Sequence, residues 1–255
     1  MAVSNYIIAI GILLAVAFIP SIWYTVKIRN VEQYSREPWG AIAGAFTWGA
    51  FIATITAIFL SFLLIILFGY GLSLNREYSY LAEDPALWSL ILACVVAPFV
   101  EEFTKGVGVF MVGKHINEVE DGLIYGAASG LGFAATENLL YESSALLTGG
   151  LAAYIAVAVV RTISSSLLHA SATAMTGYGV SRHIVGGSRF HIIPWYLLAV
   201  GMHALFNLFA SFSVIAGDTS LPIFGLFLAI FFAWSSYGWI KKRIRALDTI
   251  RSGRY

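Results

Sequence analysis

Glu101 and Glu102 are adjacent carboxylates in VVAPFVEEFTK, residues 95–105, a stretch otherwise apolar enough to cross a bilayer. One charged carboxylate near a bilayer centre costs about 2.5–3.5 kcal/mol on insertion scales, and in a pair each charge also disfavours the other. Such a pair requires a partner, a bound ion or a shared proton. On a helix, Lys105 stands four residues after Glu101 and three after Glu102, so its ammonium reaches either carboxylate. Three later apolar segments carry strong polar groups as well: Glu137 with Asn138, His169, and His203 with Asn207 four residues on. Thr162, Ser165, Ser166, His169 and Thr173 share one side of a helix, and Pro98 removes a backbone hydrogen bond just before the carboxylates.

These residue types suit hydrolysis by an activated water. A buried glutamate beside a second carboxylate can serve as general base, and histidine or asparagine donors can hold a developing oxyanion. The same set suits Zn²⁺, through His169, His203 and a carboxylate such as Glu137, with a position left open for water. No H-E-x-x-H pattern occurs, and no Ser/His/Asp order stands out. A metal-bound and a metal-free glutamate mechanism are therefore both open. Plainer readings exist for single residues. His203 with Asn207 also fits interhelical glue, Glu102 with Lys105 fits a structural ion pair, and Arg161 reads as an interface-seeking side chain near the outer end of its helix. His115, His183 and His191 read as solvated loop residues, and the KKRIR run at 241–245 as a topology determinant with no role toward nucleic acid.

The elements that must position these groups follow from composition. Of 255 residues, 59% are hydrophobic and 11% charged, with a mean hydropathy of +0.80, against about 25% charged in a soluble domain. This is an all-α, polytopic transmembrane helical bundle forming one integral membrane domain over 1–255. Apolar runs predict about seven spans, near 5–26, 40–69, 87–112, 122–143, 151–180, 192–213 and 220–240, the first being a retained helix without a basic leader. The second is long enough to tilt, or to break near its end at Gly69–Gly71. The least hydrophobic, the fourth, has Gly122, Gly126 and Gly130 on one face, a spacing that admits a close neighbour helix. Lys27, Arg29, Arg36, Lys114, Arg182, Arg189 and the basic tail fall in alternate loops. That pattern predicts an external N-terminus and a cytoplasmic C-terminus. With that topology, Glu101, Glu102, Glu137, His169 and His203 come out about 16–23 Å from the cytoplasmic face at 1.5 Å per residue. Helices between about 87 and 213 thus bring their polar groups to one slab. Lone Cys94 excludes an intrachain disulfide.

Residue by residue, the chain resembles the PrsW family of intramembrane proteases. Glu101-Glu102-Phe103-Thr104-Lys105 is similar to its E-E-x-x-K motif, and Phe133 through Glu137-Asn138 to its F-x-x-x-E-N motif. Asp121-Gly122 with Tyr125-Gly126 matches the lead-in, while His169 and His203 with Asn207 resemble the remaining two motifs. The resemblance runs from about 98 to 207. It implies that Glu101 activates the water, that Lys105 positions Glu102, and that His203 and Asn207 contribute the oxyanion site, with Lys105 and Asn138 supporting. It also implies a cell-membrane endopeptidase acting on membrane proteins or peptides, single-pass regulators of the anti-sigma-factor type among them. The wider group includes the CAAX prenyl-protein endopeptidases and Abi-type proteins. Glu137 stands where the CAAX enzymes have histidine, so a CAAX-type peptidase is the alternative enzyme. A proton- or cation-coupled transporter is the alternative from another class, since buried Glu/His chains also form relays. Oligomeric state is not legible in the sequence.

Overall fold

The computed structural model describes residues 2–74, 79–187, 192–212 and 220–252. No strand occurs among them, as expected of a chain whose backbone must satisfy itself within lipid. Helix α1 (Ala2–Arg29) closes on Lys27 and Arg29, whose charges suit the negative end of a helix dipole. After Pro38, α2 (Trp39–Thr47) runs through a π-helical turn, Trp48–Ala53, into α3 (Thr54–Leu74). The break expected near Gly69–Gly71 is absent, and the irregular turn comes earlier. Packing explains its place. A Cβ on Gly49 would stand 1.9 Å from the Ser129 carbonyl oxygen, and one on Gly132 equally close to that of Phe46. The widened turn also leaves the Ala50 carbonyl to accept from the Thr136 hydroxyl at 2.6 Å.

A short α4 (Ser79–Glu83) precedes α5 (Pro85–Ile91), whose N-cap Asp84 accepts from the N–H groups of Ala86 and Leu87. A second π-helical turn, Leu92–Val96, joins α5 to α6 (Ala97–Met111). It falls where Pro98 was expected to disturb the helix. A π-register bond from residue 98 would end on the Ala93 carbonyl, and proline has no N–H to give. The Asn207 side-chain amide donates to that carbonyl instead, at 2.7 Å.

Helix α7 (Val119–Ile163) begins at a capping box in which Asp121 accepts from the backbone, and α8 (Ser165–Gly186) follows after Ser164. Six stretches of described residues are long and apolar enough to cross a bilayer, Val119–Gly186 counting as one. That stretch is a hairpin. Gly150 has φ 72°, which a side chain would resist. Added Cβ atoms on Gly122, Gly126 and Gly130 would meet the carbonyl oxygens of Gly177, Thr173 and His169 at 2.1–2.4 Å. Each pair is equidistant from the Gly149–Gly150 step, as antiparallel helices in backbone contact require. The hairpin therefore supplies both the fourth and the fifth predicted spans, which makes seven candidate crossings among the described residues. The expected polar stripe does not survive intact, because the break at Ser164 (φ −123°, ψ −72°) turns Thr162 into an outer groove beside Ile19 and Pro20 of α1.

Helix α8 is the centre of the bundle, buried from Ser164 to Ser181. Its Ser, Ala, Gly and Thr residues let α6, α7, α9 (Ile192–Ala210) and α10 (Ser220–Ser252) approach it closely. The outer faces carry large exposed apolar side chains, such as Ile55, Phe59 and Phe62 on α3 and Phe227 and Phe231 on α10. This is a multi-pass integral membrane protein with its polar residues inside and its apolar residues toward lipid.

Candidate active site

Four helices deliver one polar cluster. From α6, Glu102 accepts from Lys105 Nζ at 2.5 Å, from the Thr173 hydroxyl of α8 at 2.8 Å, and pairs with His203 Nδ1 of α9 at 2.9 Å. Lys105 Nζ also bonds His169 Nδ1 at 2.9 Å and lies 4.6 Å from the Phe133 ring. Both members of the Glu102–Lys105 pair are wholly buried. Glu101 differs. Its side chain is 14% exposed, Lys105 Nζ and His203 Nε2 stand 3.7 and 3.8 Å from its Oε2, and that oxygen has no hydrogen bond among the described residues.

The second layer comes from the hairpin. Glu137 Oε2 accepts from Arg161 at 2.6 Å and pairs with His169 Nε2 at 2.8 Å. Arg161 Nε donates to Asn138 Oδ1 at 2.8 Å, its guanidinium reaches Ser165 Oγ at 3.1 Å, and it lies 4.0 Å over the Tyr141 ring. The Asn138 amide in turn donates to Ser166 Oγ at 3.0 Å. Arg161 was not expected here. Its position relative to the Gly149–Gly150 step was the available signal, since residues 138 and 161 are equidistant from that step.

Donor inventory fixes the His169 tautomer in this network. An ammonium only donates, so His169 accepts at Nδ1 from Lys105 and donates its Nε2–H to Glu137. His203 donates Nδ1–H to the Glu102 carboxylate, and the neutral imidazole has a lone pair on Nε2 facing Glu101. A carboxylate that orients a histidine in this way is the usual outer support of a metal-ligating imidazole.

The residues fit a divalent metal ion. Donor atoms of Glu101, His169 and His203 all lie within 4.8 Å of one another. Three carboxylates face two fixed cations, Lys105 and Arg161, which leaves one negative charge for a metal to offset. Glu101 and His203 each have an uncommitted lone pair, whereas both His169 nitrogens are engaged. Glu137, expected as a ligand, lies outside this trio and is held by Arg161. Asn207, expected at the oxyanion, lends its amide to Ala93. The remaining expected residues, Glu101, Glu102, Lys105, Asn138, His169 and His203, are all in the cluster.

Comparison with known proteins agrees with the geometry. Residues 37–235 match the model of the PrsW family intramembrane metalloproteases. The chain is 27% identical over 202 residues to Protease PrsW of Clostridioides difficile (strain 630), covering 76% of this chain and 77% of that protein. It is 26% identical over 180 residues to Protease PrsW of Geobacillus kaustophilus (strain HTA426), with 69% of each chain covered. No solved structure matches. With the family model spanning most of its length and its polar cluster inside a membrane bundle, the chain belongs to the PrsW family of intramembrane proteases.

Proposed function

We propose that this peptidase hydrolyses peptide bonds of single-pass membrane proteins with Glu101 as the water-activating base. The observation that carries the assignment is the contrast between the two glutamates. Glu102 is saturated by Lys105, Thr173 and His203, while the Glu101 side chain is 14% exposed and its buried Oε2 is unbonded among the described residues. Two acceptors 3.8 Å apart, Glu101 Oε2 and His203 Nε2, can share one water at ordinary hydrogen-bond distance.

Glu101 takes one proton of that water as its oxygen bonds to the scissile carbonyl carbon. Glu101, now a carboxylic acid, returns the proton to the departing amine as the C–N bond breaks. Lys105, fixed by Glu102 and His169, is the nearest positive charge to the reacting oxygens, and Arg161 is the second. Glu101, Glu137 and Arg161 are 14–20% exposed, against 0–3% for Glu102, Lys105, His169 and His203, so substrate reaches the site from the Glu137–Arg161 side. In a metal-bound form, Glu101 and His203 would instead hold Zn²⁺ as ligands, Glu101 no longer serving as the base, with His169 joining them by exchanging one of its present bonds. Bound there, the ion would polarise the carbonyl and lower the pKa of water. The N-terminus is external and the C-terminus cytoplasmic in this reading, following the loop charges.

Purified chain reconstituted with a single-pass substrate tests the proposal. Glu101→Gln and His203→Ala are each expected to lower cleavage by about 10²–10⁴-fold, and His203→Ala to lose one zinc per chain by elemental analysis. Undiminished cleavage by both variants would overturn it.

A further inference from the structure

A second cluster of carboxylates lies far from the peptidase site. Glu32 and Glu37 come from the segment between α1 and α2, Glu118, Glu120 and Asp121 from the start of α7, and Asp248 from α10. All six are buried. Along α7, Glu120 is about 25 Å from Glu137 at 1.5 Å per residue. Donor oxygens of Glu32, Glu118 and Glu120 lie within 4.8 Å of one another, as do those of Glu32, Glu37 and Asp121. Glu32 belongs to both trios.

Part of this negative charge is accounted for. Asp248 accepts from the N–H groups of Gln33 and Tyr34, at 2.9 and 3.4 Å. Asp121 Oδ2 accepts from those of Asn117 and Glu118, and the Tyr125 hydroxyl donates to Glu37. The rest is not. Glu32 is 0% exposed, and neither of its oxygens has a hydrogen-bond partner among the described residues. Glu120 Oε1 and Asp121 Oδ1 share that condition. Arg29 and Arg36 lie in the same segment, yet each directs Nε to a backbone carbonyl, of Glu37 and Glu32 respectively. Burial, reinforced by the neighbouring carboxylates, pushes the Glu32 carboxyl up to about 8, and burial pushes that of Glu37 up to about 9. A buried carboxylate without a donor is costly unless it is protonated or coordinates a metal.

We propose that this cluster is a second metal site, binding a hard divalent cation of the Ca²⁺/Mg²⁺ class with Glu32 as its central ligand. The donors are oxygens alone, which suit such cations and not the softer transition metals. The ion ties the α1–α2 segment to the start of α7, the helix that carries Glu137 and Asn138 further along its first limb.

The test uses the full chain in detergent, stripped with chelator and dialysed against Ca²⁺ or Mg²⁺ alone. Saturable binding of either ion near one per chain is expected, with a rise in the thermal unfolding midpoint. Both effects should be lost in Glu32→Gln and kept in Glu101→Gln. Absence of saturable binding to the wild type overturns the proposal. So does binding that survives Glu32→Gln but disappears in Glu101→Gln, which would place the ion in the peptidase cluster. If Glu32→Gln does not fold, Glu120→Gln takes its place, with loss of binding again expected and full retention overturning the site. None of these readouts requires proteolysis, so the peptidase assignment and this one fail separately.

Discussion

Three donors converge on the Glu102 carboxylate, whereas the nearest nitrogens to Glu101 Oε2 stand at 3.7 and 3.8 Å. Adjacent residues on one helix point about 100° apart, which is why one glutamate enters the packed core and the other faces the access side. Glu102→Gln leaves the Lys105 ammonium buried opposite a neutral amide. Breaking a buried pair in this way costs about 3–5 kcal/mol, read as a lowered unfolding midpoint in detergent. Glu101→Gln removes no hydrogen bond present among the described residues, so it should lower the unfolding midpoint much less than Glu102→Gln does, while cleavage falls by about 10²–10⁴-fold. Equal loss of stability in the two variants would refute this division. Arg161 acts at one remove, through Glu137 to His169. Loss of an outer-layer partner of this kind costs about 10–100-fold in activity, the drop expected for Arg161→Gln. Combined with Glu137→Gln the losses should be strongly non-additive; simple addition would show that the two residues act independently.

At the scale of elements, the turn before α6 decides where the glutamates sit. Asn207 replaces the donor that Pro98 lacks on the Ala93 carbonyl. Asn207→Ala should therefore destabilise by about 1–3 kcal/mol, the cost of a buried unsatisfied polar group. Adding Pro98→Ala restores an N–H at that position, and the double variant should recover both midpoint and cleavage. Recovered folding without recovered cleavage would return Asn207 to the reacting oxygens, as family resemblance implies. Asn207 and Pro98 were each singled out in the sequence, but their connection was not legible, because it joins two helices through a non-α hydrogen-bond register. Depth counting assigned Glu101, Glu102, Glu137, His169 and His203 to one slab, and the structure brings their side chains into one cluster, since a rise of 1.5 Å per residue needs only a correct helix end. It misplaced Arg161 because residue 151 was taken as a membrane boundary. The Gly150 turn instead sets Arg161 opposite Asn138, at 2.8 Å.

For the whole molecule, alternating loop charge and the length of apolar runs predict seven crossings, whereas the nearly continuous helix from Val119 to Gly186 counts as one stretch by length and composition. The hairpin is recovered from residue contacts, with Gly122, Gly126 and Gly130 against the carbonyls of α8. The second carboxylate cluster was invisible in the sequence, because its members are dispersed from Glu32 to Asp248 and none lies in a helical i,i+4 pair with another. Topology can be tested directly, since Cys94 is the chain's lone cysteine and Cys94→Ser gives a background free of thiols. Thr148, beside the Gly150 turn, and Lys114, before α7, are both exposed and lie at opposite ends of the first limb of the hairpin. Thr148→Cys should react with a membrane-impermeant maleimide on intact cells, and Lys114→Cys only after permeabilisation. The reverse pattern would invert the orientation that the loop charges imply. Labelling of both from the same side would mean that the first limb of α7 does not cross the bilayer, and would remove Glu137 and Asn138 from an intramembrane site.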